Sequence, residues 1–177
     1  MPRGRCPNCP KLLVSPSGPE DAEILIVGEF PGQLEVREGR PWIGPAGRVL
    51  RTELRRIGID PRGCRITNLW LHAVPPGGPT KARDPQESYA LELDWHFRQL
   101  LDEMAEKRWL FLMGSEIAKT LLSDSITRVA GTKVKSDFFP ASVEGAIASV
   151  NPAIVVRAGG VGEIRLAMGR FHDMVRS

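Results

Sequence analysis

Two glutamates six residues apart, Glu29 and Glu35, sit in the stretch AEILIVGEFPGQLEVREGRPWIGPAG, Ala22 to Gly47. The apolar run Ile24–Val27 leads straight into Gly28-Glu29-Phe30-Pro31-Gly32. A short β-branched run of this kind predicts a buried parallel strand. Glu29 then falls at the strand's carboxyl end, where open α/β sheets hold their ligands. Gly28 and Gly32 let backbone N–H groups come close to a ligand, and Pro31 stiffens the turn. Gly39-Arg40-Pro41-Trp42 follows and presents an aromatic on a Gly/Pro-rich loop. A carboxylate, a backbone nest and an aromatic plate are the ingredients of a pocket for a planar polar ligand. The same residues also suit a plain strand, turn and loop. Two further strand ends carry polar groups, Thr67-Asn68 and Asn151-Pro152-Ala153. Cys6 and Cys9 form a CxxC near the start, and Cys64 stands alone. Three cysteines are too few for a disulfide scaffold, and a single CxxC is half a metal site or nothing.

The elements that must position these groups alternate between strand and helix. Residues 1–21 are rich in Pro, Gly and Ser and read as an extended lead-in carrying the CxxC. After the first strand, Ala46 to Ile57 predicts a helix with Val49, Leu50, Leu54 and Ile57 on one face. Arg48, Arg51, Arg55 and Arg56 lie on the other. Cys64–Leu71 predicts a second strand, and 73–84 a Pro/Gly-rich loop. Pro85–Lys107 predicts a long helix, Trp109–Met113 a third strand, and Gly114-Ser115 the opening of a helix to Leu122. Ser123–Phe139 reads as irregular and polar, Ala146–Val150 as a fourth strand, and the chain closes on a helix to Val175. The expected fold is an α/β three-layer sandwich, with a central four-stranded, mostly parallel sheet flanked by helices. At 177 residues it is expected to form one domain, 1–177.

Composition narrows the function classes. A net charge of +3 and a pI near 9.0 permit nucleic-acid binding. The arginines crowd between Arg37 and Arg65. No apolar run approaches the ~20 residues of a membrane span. MPRGRCPNCP lacks a signal peptide's apolar centre, so the expectation is a cytoplasmic protein.

In order and spacing, the three strand-end groups resemble those of the uracil-DNA glycosylase superfamily, and most closely its iron–sulfur branch, family four. That branch's first motif is G-E-x-P-G-x-x-E-x-R-x-G-R-P-[FW]-[VI]-G-x-A-G, and Gly28 to Gly47 fits every fixed position. Ile66-Thr67-Asn68 matches the family's I-T-N strand. Pro75-Pro76-Gly77 and Arg83-Asp84-Pro85 resemble its connecting loop. Leu112-Met113-Gly114 sits where the family has A-L-G. Asn151-Pro152-Ala153-x-x-x-Arg157 sits where it has H-P-[AS]-x-x-x-R.

The resemblance implies a monofunctional DNA glycosylase that flips uracil out of single- or double-stranded DNA and leaves an abasic site. It implies a monomer that associates with the nucleoid when acting on DNA. Trp42 would stack on the base, with Phe30, Gly28 and Gly32 around it. Asn68 would pair with uracil O4 and N3–H at once. Glu29 or Glu35 would stabilise the cationic sugar and orient a water, and Asn151 would serve the departing base. Arg40, Pro75, Arg83 and Arg157 would contact DNA. Asn151 replaces the family's usual His, which leaves two alternatives open: a glycosylase for another modified or deaminated base, or a catalytically altered DNA-binding member. The family's cluster uses four cysteines. Here Cys6 and Cys9 match the first pair, His72 occupies the third position, and the fourth falls at about Asp94. His96 is the alternative to Asp94, because the two lie about 160° apart around a helix. This set suits zinc as well as a 4Fe-4S cluster, or is a relic.

Overall fold

The structure, a computed structural model, describes residues 6–7, 11–74 and 86–177, with backbone alone for 86–90. Strands β1 (Ile24–Gly28) and β2 (Arg65–Asn68) are separated by helices α1 (Gln33–Glu38) and α2 (Pro45–Arg56) and a 3₁₀ turn at Pro61–Gly63. Helix α3 (Gln86–Met104) leads to β3 (Trp109–Met113), followed by α4 (Ser115–Leu122) and α5 (Ile126–Val129). Then come β4 (Lys133–Val134), β5 (Gly145–Ser149), α6 (Ala153–Ala158) and α7 (Gly162–Arg176).

The sheet order is β2-β1-β3-β5-β4, parallel except for β4, which pairs antiparallel with β5. The sheet thus has five strands where the sequence pattern predicts four. The extra strand is two residues long and lies in the stretch 123–139, expected to be irregular. It pairs Lys133 with Ile147 and Val134 with Ala146 at the sheet's edge, too short to leave any periodicity.

Side chains of β1 and β3 alternate between two apolar layers, as period-2 geometry requires. Leu25, Val27, Leu110 and Leu112 pack with Leu100, Met104, Ile117 and Leu121 of α3 and α4. Ile26 and Phe111 pack with Leu50, Leu54, Met168 and Phe171 of α2 and α7. Covered on both faces, these strands hold no polar alternation, which is why they read as unbroken apolar runs. The lead-in runs along β2, with Ser17 and Ile66 exchanging backbone hydrogen bonds at 2.9 and 2.8 Å. That contact covers a strand edge that would otherwise be open.

Two local departures matter for function. Glu35, expected in a loop, is carried by α1, whose start is set by Gly32 and whose end by Gly39 in the left-handed region (φ +68°). In α2 the arginine face is broken. Arg51 turns back to donate to the carbonyls of Trp42 and Gly47, while Glu53 points into the protein. No helix of the described residues is long and apolar enough to cross a membrane.

Candidate active site

The carboxyl ends of β1, β2 and β5 open onto a cavity of about 270 Å³ whose lining includes Phe30, Glu35, Trp42, Asn68, Asn151 and Arg157. Trp42 is buried against its floor at 6% exposure. Its backbone is left-handed (φ +59°), which is costly for a bulky residue. Three contacts hold it there. The indole Nε1 donates to Thr67 O at 3.2 Å, the Trp42 carbonyl accepts from Arg51, and the ring lies directly on Gly28. Any Cβ at Gly28 would overlap the indole and press on Asn68 Oδ1, so the glycine lets ring, strand and amide meet. Gly47 is fixed for a similar reason, since a Cβ there would collide with the Trp42 carbonyl.

Glu35 is 8% exposed, and its Oε1 accepts from Gly44 N at 2.8 Å. A Cβ at Gly32 would stand 2.7 Å from Glu35 Oε2, and one at Gly44 2.9 Å from Oε1. The two glycines therefore flank a carboxylate held at the cavity wall.

Glu29 follows a different course. Its Oε1 accepts from Glu116 N at 3.0 Å, in the first turn of α4, where the helix dipole favours an anion. Its Oε2 accepts from Asn151 Nδ2 at 2.7 Å. Gly114 (φ +111°) makes room, because a Cβ there would collide with the Glu29 carboxylate. Asn151 Oδ1 in turn accepts from Ala153 N at 2.9 Å. With its carbonyl and one amide hydrogen so committed, Asn151 has one amide hydrogen left for the cavity it lines. Glu35 and not Glu29 is among the cavity's lining residues.

Arg157 reaches the cavity from α6 and is exposed, as is Arg40. Pro75 and Arg83 lie outside the described residues. At the rim, Val156 of α6 is 49% exposed and Phe30 is 39% exposed. Val156 escaped the sequence reading. Its signal is an apolar triplet, Ile154-Val155-Val156, just after Asn151-Pro152.

A second group lies off the end of β2, beside α3. One donor atom each from Cys6, His72 and His96 lies within 4.8 Å of the others, and all three residues are buried. His72 Nδ1 donates to Ala73 O at 3.0 Å, which places the ring's lone pair on Nε2. Cys6 Sγ lies 4.0 Å from His96 Nε2. Burial lowers His72, and burial with help from His72 and Lys11 pushes His96 down to about 3, so both rings are neutral at pH 7. Asp94, the expected fourth ligand, does not join them. The helix turns it to solvent, where it pairs with Arg98 at 2.9 Å. His96 faces the group instead, and so does Glu92 one turn earlier, 4% exposed with Oε2 3.9 Å from His72 Nε2. Glu92 was missed, although its i, i+4 spacing from His96 could have shown it. Cys9 lies outside the described residues. Cys64 is not part of the group. It sits under Asp60 O, and burial pushes its thiol up to about 12.

The model of the family described as uracil DNA glycosylase superfamily matches residues 15–162. A type-4 uracil-DNA glycosylase of Thermotoga maritima is 30% identical over 138 residues, 73% of this chain and 69% of that protein. One from Sulfurisphaera tokodaii is 32% identical over 117 residues, 62% of this chain and 50% of that protein. One from Archaeoglobus fulgidus is 43% identical over 68 residues, 38% of this chain and 32% of that protein. The match thus spans about two thirds of the first of these relatives, half of the second and a third of the other. With the first motif folded around one cavity and a family match over most of its length, the chain belongs to the uracil-DNA glycosylase superfamily, in its type-4 branch.

Proposed function

We propose that the chain hydrolyses the N-glycosidic bond of uracil in DNA and leaves an abasic site. One observation carries this reading: a planar aromatic, a buried carboxylate and two side-chain amides, Trp42, Glu35, Asn68 and Asn151, line one cavity. The base leaves the duplex and stacks on Trp42. The Asn68 amide donates to O4 and its carbonyl accepts from N3–H, a pattern that cytosine reverses. As the C1′–N1 bond breaks, its electron pair stays with the base and C1′ becomes cationic. Glu35 faces that charge and orients a water, whose oxygen bonds to C1′ while its proton passes to the carboxylate. The remaining Asn151 amide hydrogen meets the oxygen that collects the base's negative charge. Glu29 is a positioning residue here, holding Asn151 from behind. The route is hydrolysis, with water and not an enzyme amine as the nucleophile. Arg157 holds a phosphate at the mouth, and Val156 and Phe30 fill the space that the base vacates.

Incubation with oligonucleotides carrying uracil, hypoxanthine, xanthine, 5-substituted uracils or cytosine, followed by alkaline cleavage, tests the reading. Cleavage at uracil in preference to the rest is expected. Preference for another base would transfer the same machinery to that substrate. Absence of cleavage at all of them would remove the enzymatic reading.

A further inference from the structure

The type-4 resemblance implies a four-iron cluster on four thiolates, and the residues present do not fit one. The sequence holds three cysteines, and Cys64 is committed elsewhere, so at most two thiolates, Cys6 and Cys9, could reach such a cluster. Among the described residues, the donors that converge are one thiol and two imidazoles, Cys6, His72 and His96. Their spacing also argues against a cubane. Each ligand of a four-iron cluster binds a different iron, so its donor atoms are spread around the outside of an eight-atom body. Here all three donor atoms lie within 4.8 Å of one another. Around one tetrahedral zinc ion, ligand atoms stand about 3.5 Å apart.

We propose that the family's cluster site has become a mononuclear zinc site in this chain, held by Cys6 Sγ, His72 Nε2 and His96 Nε2. Zinc accepts mixed sulfur and nitrogen donors, whereas cubanes are held by thiolates. His72 has the hydrogen bonding of a ligand, with Nδ1 tied to a backbone carbonyl, which leaves the lone pair on Nε2. One thiolate and two neutral imidazoles leave a single positive charge on the ion. The buried Glu92 carboxylate, 3.9 Å from His72 Nε2, offsets it. Binding has one local cost. Leu71 N donates to His96 Nδ1 at 3.3 Å, which keeps the ring proton on Nε2, facing Cys6. Coordination moves that proton to Nδ1 and gives up the Leu71 contact, already at the long end for a hydrogen bond. In return the ion ties together Cys6, His72 and His96, three segments distant in sequence, so metal affinity becomes fold stability.

The full-length protein, purified without oxygen, should contain about one zinc per chain, with neither iron nor acid-labile sulfide. After treatment with chelator its melting temperature should fall, and added Co²⁺ should give the absorption of a tetrahedral thiolate–imidazole site. His96→Gln should lose most of the zinc and change the cobalt spectrum, while Asp94→Ala should alter neither. Four irons with matching sulfide would overturn the proposal. So would folded wild-type protein that binds no metal, or a His96→Gln variant with unchanged zinc content and cobalt spectrum. The wild-type measurements stand even if a variant fails to fold.

Discussion

Glu29 Oε2 and Asn151 Nδ2 lie 2.7 Å apart across the ends of β1 and β5, and that bond predicts how the two residues act together. If Glu29 works through Asn151, removing either should cost much the same and removing both little more. Asn151→Ala is expected to slow single-turnover excision about 10²-fold, as loss of one oxyanion donor does. Glu29→Gln should slow it by at least tenfold in the wild type and by less than threefold in the Asn151→Ala background. Glu35→Gln should slow both backgrounds equally, because its carboxylate faces the cavity independently. Additive losses for Glu29 and Asn151 in enzyme-excess kinetics would refute the linkage. In the proposed function Asn68 serves recognition instead. Asn68→Asp removes the donor to uracil O4 and offers an acceptor for the cytosine amino group. The ratio of uracil to cytosine excision should fall sharply in that variant and stay nearly constant in Asn151→Ala. The reverse pattern would exchange the two assigned roles.

Elements decide which of these groups meet, and here the sequence was readable in proportion to repetition. β1, β3 and β5 show themselves as apolar runs because both their faces are covered. α1, with the sequence QLEVRE, has six residues and no apolar stripe, so its helix is invisible to periodicity although it seats Glu35. The phase of α3 was legible in principle. About 100° per residue separates Asp94 from His96, but the sequence alone did not say which faced inward. The burial of Glu53 was hidden in the same way, since its partners come from α2 and the distant α7. Glu53 accepts from Arg56 at 2.6 Å and from Arg165 at 3.2 Å while itself 3% exposed. Burial pushes its carboxyl up, but the hydrogen bonds from Arg165 and Arg56 outweigh this and hold it below its ordinary value. A depressed folded-state pKa contributes stability that is present above the unfolded value and lost as pH falls through the folded one. Glu53→Gln should therefore lower stability at pH 7 by roughly 1–2 kcal/mol, the partly exposed arginines tempering the loss. Urea denaturation should show the two proteins converging as pH falls from the unfolded-state value through the lower folded-state one. A gap that did not narrow as the pH fell would assign the effect to packing instead of charge.

At the scale of the whole molecule, the cavity and its exposed apolar residues Phe30 and Val156 occur together at the carboxyl end of the sheet. In the proposed function a duplex at that end would meet these two side chains, with Arg157 beside them. In a base-flipping enzyme such residues act on the energy of extrusion, because an inserted apolar group replaces the stacking that the flipped base has lost. Unstacking costs a few kcal/mol in a duplex and far less where the base is already unpaired. Removing the rim should consequently discriminate between substrates by their pairing and not by their base. Phe30→Ala/Val156→Ala is expected to slow uracil excision from duplex DNA by more than tenfold. On single-stranded DNA it should remain within about threefold of wild type, and a U·G mismatch should fall between the two. Both side chains are more than a third exposed and alanine preserves the helical backbone of α6, so the melting temperature should change little. Single-turnover rates on the three substrates decide the matter. An equal loss on single-stranded and duplex DNA would mean that these side chains shape the cavity itself and take no part in opening the helix.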